Sequence, residues 1–342
     1  TSLGVWSEVE KQACPITEVH VSEKDRFGTT RIKAKDYQQS SVGYVVPNQW
    51  LGRCLLSRVD ELAVPLYASV QVDEIAQGDT KKLVLTSTEH SSEGVKRSIE
   101  TRLLIIADGT DSNTAKKLGI GSDIQHYSQH AIIANVTTEL SNHGTAFERF
   151  TNKGPLALLP LSEYECAVVW THDQTEVSDY LEMSDKEFCQ AIEASFGERL
   201  GRLEKCGKRA SYPLKLIQAK EQCRSGVLLL GNAAHSLHPV AGQGFNLAIR
   251  GVAACVESIA QCEEQGRLFE TLEHLSKLCV SREDDQLKTV ALSDQLVKVF
   301  GSSSLLLSVA RELGLIALDN APILKSLFAS RAMGLAGRKS NL

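Results

Sequence analysis

Gly231-Asn232-Ala233-Ala234-His235-Ser236-Leu237-His238-Pro239-Val240-Ala241-Gly242-Gln243-Gly244-Phe245-Asn246 is the stretch of sequence that decides the fold. The four apolar residues before it, 227–230, predict a buried parallel strand. After it, apolar residues recur at helical spacing over residues 247–257, which predicts a helix. The chain therefore passes from a strand through a long loop into a helix.

Two glycines, Gly242 and Gly244, flank the point where this helix should begin. Glycine there lets the backbone approach a ligand closely, because it has no Cβ. The first N–H groups of a helix have no partner within the helix and lie at the positive end of its dipole. The stretch therefore predicts a site for an electron-rich carbonyl or an anionic ring, such as the pyrimidine side of a reduced flavin.

The same stretch resembles the second FAD-binding fingerprint of the flavin-dependent aromatic hydroxylases, Gly-Asp-Ala-Ala-His followed by a Pro and a Gly-x-Gly-x-Asn. Residues 238–246 are most similar to the ubiquinone-biosynthesis branch, and within it to the 2-polyprenyl-6-methoxyphenol hydroxylases. There are two departures, since Asn232 replaces the usual Asp and Gly251 stands where the family usually has Asp. The alternative, a glycine-rich turn that binds another nucleotide or nothing, fits this order of residues less well.

A second motif follows the apolar residues 103–106 and reads Ala107-Asp108-Gly109-Thr110-Asp111-Ser112. It resembles the family's other internal fingerprint, Ala-Asp-Gly-x-x-Ser, which in relatives contacts FAD and has been linked to NAD(P)H binding. An Asp at the carboxyl end of a strand lies where open α/β sheets bind ligands. Asp-Gly alone marks many turns, so the inference depends on its pairing with the first stretch.

The resemblance implies FAD as the cofactor and NAD(P)H as the co-substrate. Arg53, in a helix predicted after Pro47, would reach the FAD pyrophosphate through its forked donors, although a solvated helix arginine is an equal alternative. The residues that the resemblance assigns to cofactor binding are Arg53, Asp108, Gly109, Asn232, Pro239, Gly242, Gln243, Gly244, Phe245 and Asn246.

Family members open with a Gly-x-Gly-x-x-Gly turn that holds the FAD pyrophosphate on a helix N-terminus. This sequence contains no such turn and starts at Thr1 in mid-pattern, so we expect it to lack its true N-terminus. Two explanations stay open. Either that segment is missing from this sequence, or this protein does not hold FAD tightly.

The composition excludes several classes of protein. The formal net charge of −5 offers no basic surface for nucleic acid. The nine cysteines show no metal-binding spacing, which predicts reduced, mostly buried thiols in the cytoplasm and no metal site. No apolar run reaches the length of a membrane span.

The patterning predicts an α/β fold with a mostly parallel, FAD-binding sheet, an antiparallel-sheet substrate domain and C-terminal helices. We assign residues 45–118 and 221–285 to the FAD-binding domain, which is incomplete at its N-terminal part. Residues 1–44 and 119–220 form the substrate domain, whose sheet covers the flavin ring in relatives, and 286–342 form a C-terminal helical region.

No side chains in the sequence form a nucleophile or acid–base set, so no catalytic residue is predicted and the flavin carries the chemistry. Glu148 and Arg149 are chemically capable of catalysis, but an exposed cross-strand ion pair is the favoured interpretation. The implied reaction is reduction of FAD by NAD(P)H, reaction with O2 and transfer of oxygen to an electron-rich phenol.

The resemblance also implies a polyprenyl phenol as substrate. Such a molecule resides in the bilayer, because each buried methylene contributes about 0.8 kcal/mol. The apolar residues 305–318 therefore suggest peripheral contact with the inner face of the membrane or with a ubiquinone-biosynthesis complex, although ordinary helix packing is favoured. Rival functions are hydroxylation of a small soluble aromatic, reduction of a prenyl chain, and a non-catalytic scaffold role.

Overall fold

The computed structural model describes residues 3–76, 78, 80–87, 96–237 and 242–300. These residues form two compact units. Unit 1 contains residues 3–64, 127–214 and 295–300, and unit 2 contains the described residues of the ranges 65–126 and 215–294. Of the boundaries between the units, those at 126/127 and 214/215 fall within strands, the one at 294/295 falls within a helix, and the one at 64/65 falls in a loop.

The described residues contain both strands and helices. The helices are α1 (Trp6–Val9), α2 (Asn48–Glu61), α3 (Asn113–Lys117), α4 (Val177–Glu182), α5 (Asp185–Phe196), α6 (Gln243–Glu264) and α7 (Leu272–Phe300). The strands are β1 (Cys14–Ile16), β2 (Glu18–Glu23), β3 (Thr29–Lys33), β4 (Gly43–Val45), β5 (Val70–Ala76), β6 (Lys81–Ser87), β7 (Lys96–Thr101), β8 (Leu104–Ile106), β9 (Ser122–Thr138), β10 (Thr145–Phe150), β11 (Pro155–Pro160), β12 (Glu165–Asp173), β13 (Leu203–Cys206), β14 (Ala210–Ala219), β15 (Cys223–Arg224), β16 (Val227–Leu229) and β17 (His235–Ser236).

The main sheet of unit 1 has the strand order β9-β12-β11-β10-β2-β3, and β13 pairs with β9. Every pair is antiparallel except β10 with β2, which is parallel. Side chains of successive strand residues point to opposite faces. We use the name second face for the side of the sheet on which Glu148, Ala157, Val169 and Ile133 lie by register.

The first face of this sheet packs against α5 and forms the core of unit 1. Trp170, Phe188 and Ile192 are fully buried there. The Ser-x-x-Glu pattern of residues 184–187 is a capping-box signature that predicts a helix ending at Phe196, before Gly197. The structure confirms it, because the Ser184 hydroxyl accepts the Glu187 N–H at 3.3 Å and the Glu187 carboxylate accepts the Ser184 N–H at 2.9 Å.

Unit 2 contains a three-stranded sheet of β15, β16 and β8, in which β16 and β8 are parallel. Its strands carry the apolar residues that the sequence predicts to be buried, and Val227, Leu228 and Leu229 are all inaccessible to solvent. Leu228 packs with Cys255 of α6 and with Leu278 of α7. A separate antiparallel meander is formed by β5, β6 and β7.

The predicted α/β fold class is confirmed. Among the described residues, however, the sheet of unit 2 contains one parallel pair, β16 with β8, and one antiparallel pair, β15 with β16. Residues 45–64, which the sequence analysis assigns to the FAD-binding domain, belong to unit 1 in the structure. Residues 301–342, most of the predicted C-terminal helical region, lie outside the described residues. No helix in the described part of the chain is both long enough and apolar enough to span a membrane.

Candidate functional site

The two sequence motifs meet at one edge of the unit 2 sheet. In the parallel pair of β8 and β16, Leu104 lies opposite Val227 and Ile106 lies opposite Leu229. The loops that follow both strands therefore start at the same edge. The Thr110 hydroxyl donates to the Ser236 hydroxyl at 3.3 Å, which joins the two loops directly.

The Asp108 carboxylate lies at the start of α3. Its Oδ2 accepts the backbone N–H of Thr114 at 3.2 Å, and the Ser112 hydroxyl accepts the N–H of Ala115 at 2.9 Å. Burial raises the pKa of Asp108, but hydrogen bonds from Ser112 and Thr114 outweigh this effect and hold the pKa below its ordinary value. A charged carboxylate is therefore fixed at this edge, followed by Gly109 in a left-handed conformation with φ of +90°.

The loop after β16 begins with a tight turn over Gly231–Ala233. Gly231 has φ of +60°, and the Ala233 and Ala234 side chains anchor the loop in the core of unit 2. The Asn232 side chain is exposed and makes no hydrogen bond to any other described residue. It is therefore available to a ligand. Burial lowers the pKa of His235, which favours a neutral imidazole.

The start of α6 leaves its N-terminal end open. Gly242 precedes the first turn with φ of +60°, and no described side chain caps the helix. That turn contains no acidic residue to offset the dipole. A Cβ added at Gly242 or at Gly244 would have no neighbouring atom within 4 Å. The backbone is therefore accessible to an electron-rich group, and this arrangement fits the flavin ring that the sequence predicts.

The other residues predicted at the start of α6 differ in accessibility. Gln243 is buried, whereas the Phe245 side chain is 59% exposed and Asn246 is also exposed. The Asn246 side-chain amide donates to the Gly242 carbonyl at 3.5 Å, which fixes the turn that presents the N–H groups. Pro239 lies outside the described residues.

Arg53 does not belong to the same unit as the other predicted site residues. It lies on α2 in unit 1, and its guanidinium carbon is 5.8 Å from the centroid of the Trp50 ring. Asp108, Gly109, Asn232 and the residues at the start of α6 all lie in unit 2. Its assignment to the FAD pyrophosphate stays a prediction.

The expected ion pair at Glu148 and Arg149 is wrong. The strand register sets Glu148 opposite Val21 and Ala157, so no basic residue faces it. Arg149 points to the first face, where its Nε donates to the Ser195 carbonyl at 3.0 Å. The two side chains therefore lie on opposite faces of the sheet and do not pair.

Glu148 is an isolated carboxyl group on the second face of the unit 1 sheet. It makes no hydrogen bond or ion pair to another described residue. Burial raises the pKa of Glu148 to about 7. Its register neighbours Val21 and Ala157 are apolar, and the register of the neighbouring strands also sets Glu23, Glu165, Asp173 and Lys205 on this face. One signal in the sequence could have identified Glu148. It is an acidic residue at a strand position whose neighbours on the adjacent strands, Val21 and Ala157, are apolar.

Comparisons with known proteins agree with this geometry. A family model described as FAD binding domain matches residues 1–274. Ubiquinone hydroxylase UbiL from Rhodospirillum rubrum is 31% identical over 337 residues, which cover 97% of this chain and 76% of the relative. The 3-demethoxyubiquinol 3-hydroxylase of Escherichia coli is 28% identical over 341 residues, which cover 97% of this chain and 83% of the relative.

Solved structures share the fold. The crystal structure of p-nitrophenol 4-monooxygenase PnpA from Pseudomonas putida DLL-E4 matches with a TM-score of 0.75, covering 98% of this chain and 86% of that chain, at 17% sequence identity. The anhydrotetracycline hydroxylase OxyS from Streptomyces rimosus matches with a TM-score of 0.70, covering 98% of this chain and 65% of that chain, at 19% identity. The chain therefore belongs to the FAD-binding family that includes the ubiquinone hydroxylases, and it is a flavin-dependent monooxygenase with FAD as its cofactor.

Proposed function

We propose that this monooxygenase hydroxylates a polyprenylated phenol in ubiquinone biosynthesis, with NAD(P)H and O2 as co-substrates. The observation that carries the proposal is the similarity to a ubiquinone hydroxylase along almost the whole chain, 31% over 97% of its residues. The meeting of the two FAD fingerprints at one sheet edge gives independent support, because an electron-rich phenol is a suitable acceptor for oxygen that a flavin activates.

The unit 2 loops would bind the cofactor with separate groups. The open N–H groups of Gly242, Gly244 and Phe245 would stabilise negative charge on the ring. The Asp108 carboxylate and the Asn232 amide would form hydrogen bonds with hydroxyl groups of the cofactor. The chemistry that bound FAD supplies is activation of O2 after reduction by NAD(P)H. The residues of this chain would position the cofactor and stabilise the negative charge on its ring.

A polyprenyl substrate would require the protein to act at or near a membrane. Its apolar tail keeps the phenol in a bilayer, so the enzyme must reach it there or receive it from a partner. We therefore propose a cytoplasmic protein that contacts the inner face of the membrane or a ubiquinone-biosynthesis complex. The apolar residues 305–318 that motivate this contact lie outside the described residues.

The test of the proposed function records the absorbance spectrum of protein purified without added flavin, and then measures turnover with added FAD and NADPH. We expect a flavin absorbance spectrum, and oxidation of NADPH that increases on addition of a short-chain polyprenyl phenol. The product should contain one more oxygen atom than the substrate. The control phenol is 4-hydroxybenzoate, which lacks the prenyl chain. A response to 4-hydroxybenzoate alone would support a small soluble aromatic substrate, and absence of flavin would support the scaffold role.

Asn232→Asp tests the role of the loop after β16. A carboxylate acceptor makes a hydrogen bond about twice as strong as a neutral amide does. This difference of about 1 kcal/mol corresponds to about fivefold tighter FAD binding. We expect this change in a fluorescence titration of the apoprotein. Asn113→Asp, the same substitution at an exposed position of α3, is the control and should leave FAD affinity unchanged. Equal affinity of wild type and Asn232→Asp would contradict the role.

A further inference from the structure

Arg282 of α7 is a buried cation with unpaired donors. The residue is only 7% exposed, and its Nε and Nη1 atoms have no hydrogen-bond partner among the described residues. Only Nη2 is engaged, with the Leu247 carbonyl at 3.5 Å and with the Asp285 carboxylate at 3.4 Å. Buried guanidinium groups normally have all their donors satisfied, because an unpaired buried charge is costly.

The charges around Arg282 do not cancel. The Asp285 carboxylate also accepts from Nε of Arg250 at 2.9 Å, so one negative group serves two guanidinium groups. The nearby His235 contributes no negative charge, because burial and the Arg282 charge both lower its pKa and favour the neutral imidazole. An arginine side chain stays protonated in proteins. Arg250, Arg282 and Asp285 therefore have a net charge of +1, and no further counterion pairs with them among the residues that the structure describes.

A cavity of about 20 Å³ lies beside this cation. Its lining includes Leu230, Gly231, His235, Leu247, Gly251 and Arg282. Gln222 and Gln286 also border it, but their amides donate to each other at 3.0 and 3.1 Å. Among the described side chains that line the cavity, the buried N–H groups without a hydrogen-bond partner are Nε and Nη1 of Arg282. A space of this size accommodates one water molecule or one monatomic ion.

Gly251 of α6 leaves the space beside Arg282 open. A Cβ added at Gly251 would lie 3.0 Å from Nη1 of Arg282. Any side chain at residue 251 would therefore project toward the guanidinium group, and an acidic one would neutralise it from within the chain. With glycine there, no carboxylate of α6 performs this role.

We propose that the cavity between Gly251 and Arg282 is a binding site for a monovalent halide ion, with chloride as the physiological ligand. The ion would accept from the Nε–H and Nη1–H of Arg282 and cancel the net charge of the group. A water molecule would satisfy the donors without cancelling the charge. Because Gly231 and His235 also line the cavity, the ion would join α6 and α7 to the loop that follows β16.

The test measures thermal unfolding in chloride and in gluconate at constant ionic strength. We expect the midpoint of the wild-type protein to increase by about 3 °C in high chloride, because a ligand that binds only the folded state stabilises it. Crystals soaked in bromide should show anomalous density beside Nε and Nη1 of Arg282. Equal midpoints in the two salts, with no bromide density there, would overturn the proposal.

Two variants separate the site from general salt effects. Gly251→Asp should raise the midpoint in gluconate and abolish the chloride response, since its carboxylate replaces the ion. Arg282→Met should also abolish the response, and it is informative if Gly251→Asp fails to fold. Arg102→Gln removes an exposed guanidinium group, which pairs with the partly buried Glu270 and lies outside the cavity lining, and it should keep the wild-type response. A chloride response that persists in Arg282→Met would place the ion elsewhere and reject the proposed site.

Discussion

Replacing Glu148 by Gln should stabilise the folded protein by about 3 kcal/mol at about pH 8 and leave its stability unchanged at about pH 4. In the folded protein, burial raises the pKa of Glu148 from an ordinary value of 4.5 to about 7. The unfolded chain therefore releases this proton at lower pH than the folded protein does. Stability due to this group is complete below its unfolded pKa and is lost as the pH rises through its folded pKa. Gln keeps the shape of the side chain and does not titrate.

The measurement is urea unfolding of wild type and Glu148→Gln across this pH range. Glu204→Gln, which neutralises an exposed carboxylate on β13 of the same unit, is the matched control and should follow the wild-type profile. If the curves of wild type and Glu148→Gln run parallel, the carboxyl group is not desolvated on the second face.

The same variant also tests whether the substrate phenol binds there. Loss of a rise in kcat/KM with pH would indicate that Glu148 accepts the phenolic proton.

Gly226→Ala should lower the free energy of unfolding by about 3 kcal/mol, through left-handed strain and overpacking together. Gly226 has φ of +68°, and an added Cβ would lie 2.7 Å from the Arg102 carbonyl oxygen. The backbone has little freedom to move away, because the Gly226 carbonyl accepts the Leu104 N–H at 2.9 Å and its N–H donates to the Glu270 carbonyl at 2.8 Å. These bonds hold the pair of β8 and β16 from which both cofactor loops start.

The control for Gly226→Ala is Gly266→Ala, which isolates the conformational part of the cost. Gly266 has φ of +62°, but an added Cβ would have no neighbour within 4 Å. We expect its substitution to cost about 1 kcal/mol. Chemical unfolding of both variants gives the comparison, and equal losses would contradict the role of the close contact. We also expect Gly226→Ala to weaken FAD binding, since a distorted strand pair would separate the loops.

Local sequence patterns predicted the elements that build the cofactor site. The apolar run before Gly231 and the helical spacing after it identified β16 and α6, because burial of one face determines both patterns. The capping box at Ser184 identified the start of α5. The meeting of the two loops followed from a general property of parallel strands, whose carboxyl ends lie at the same sheet edge.

Features that depend on strand pairing or helix packing could not be predicted in this way. The environment of Glu148 depends on its neighbours Val21 and Ala157, which are distant in sequence and become its neighbours only in the sheet. The burial of Arg282 depends on how α7 packs against α6, and its own helix shows no signal of it. The pattern of residues 45–64 correctly predicted a helix, but the sequence analysis assigned it to the FAD-binding domain, whereas the structure groups it with unit 1. This grouping depends on contacts with residues elsewhere in the chain.

The hydrogen bond between Thr110 and Ser236 joins positions 126 residues apart. Closure of so long a segment occurs only after the intervening chain has been synthesised and has largely adopted its structure. During translation, a nascent chain therefore has to extend beyond β16 before the two loops can meet. Flavin uptake should consequently be a late event in maturation, and apoprotein should accumulate when synthesis outpaces the supply of cofactor.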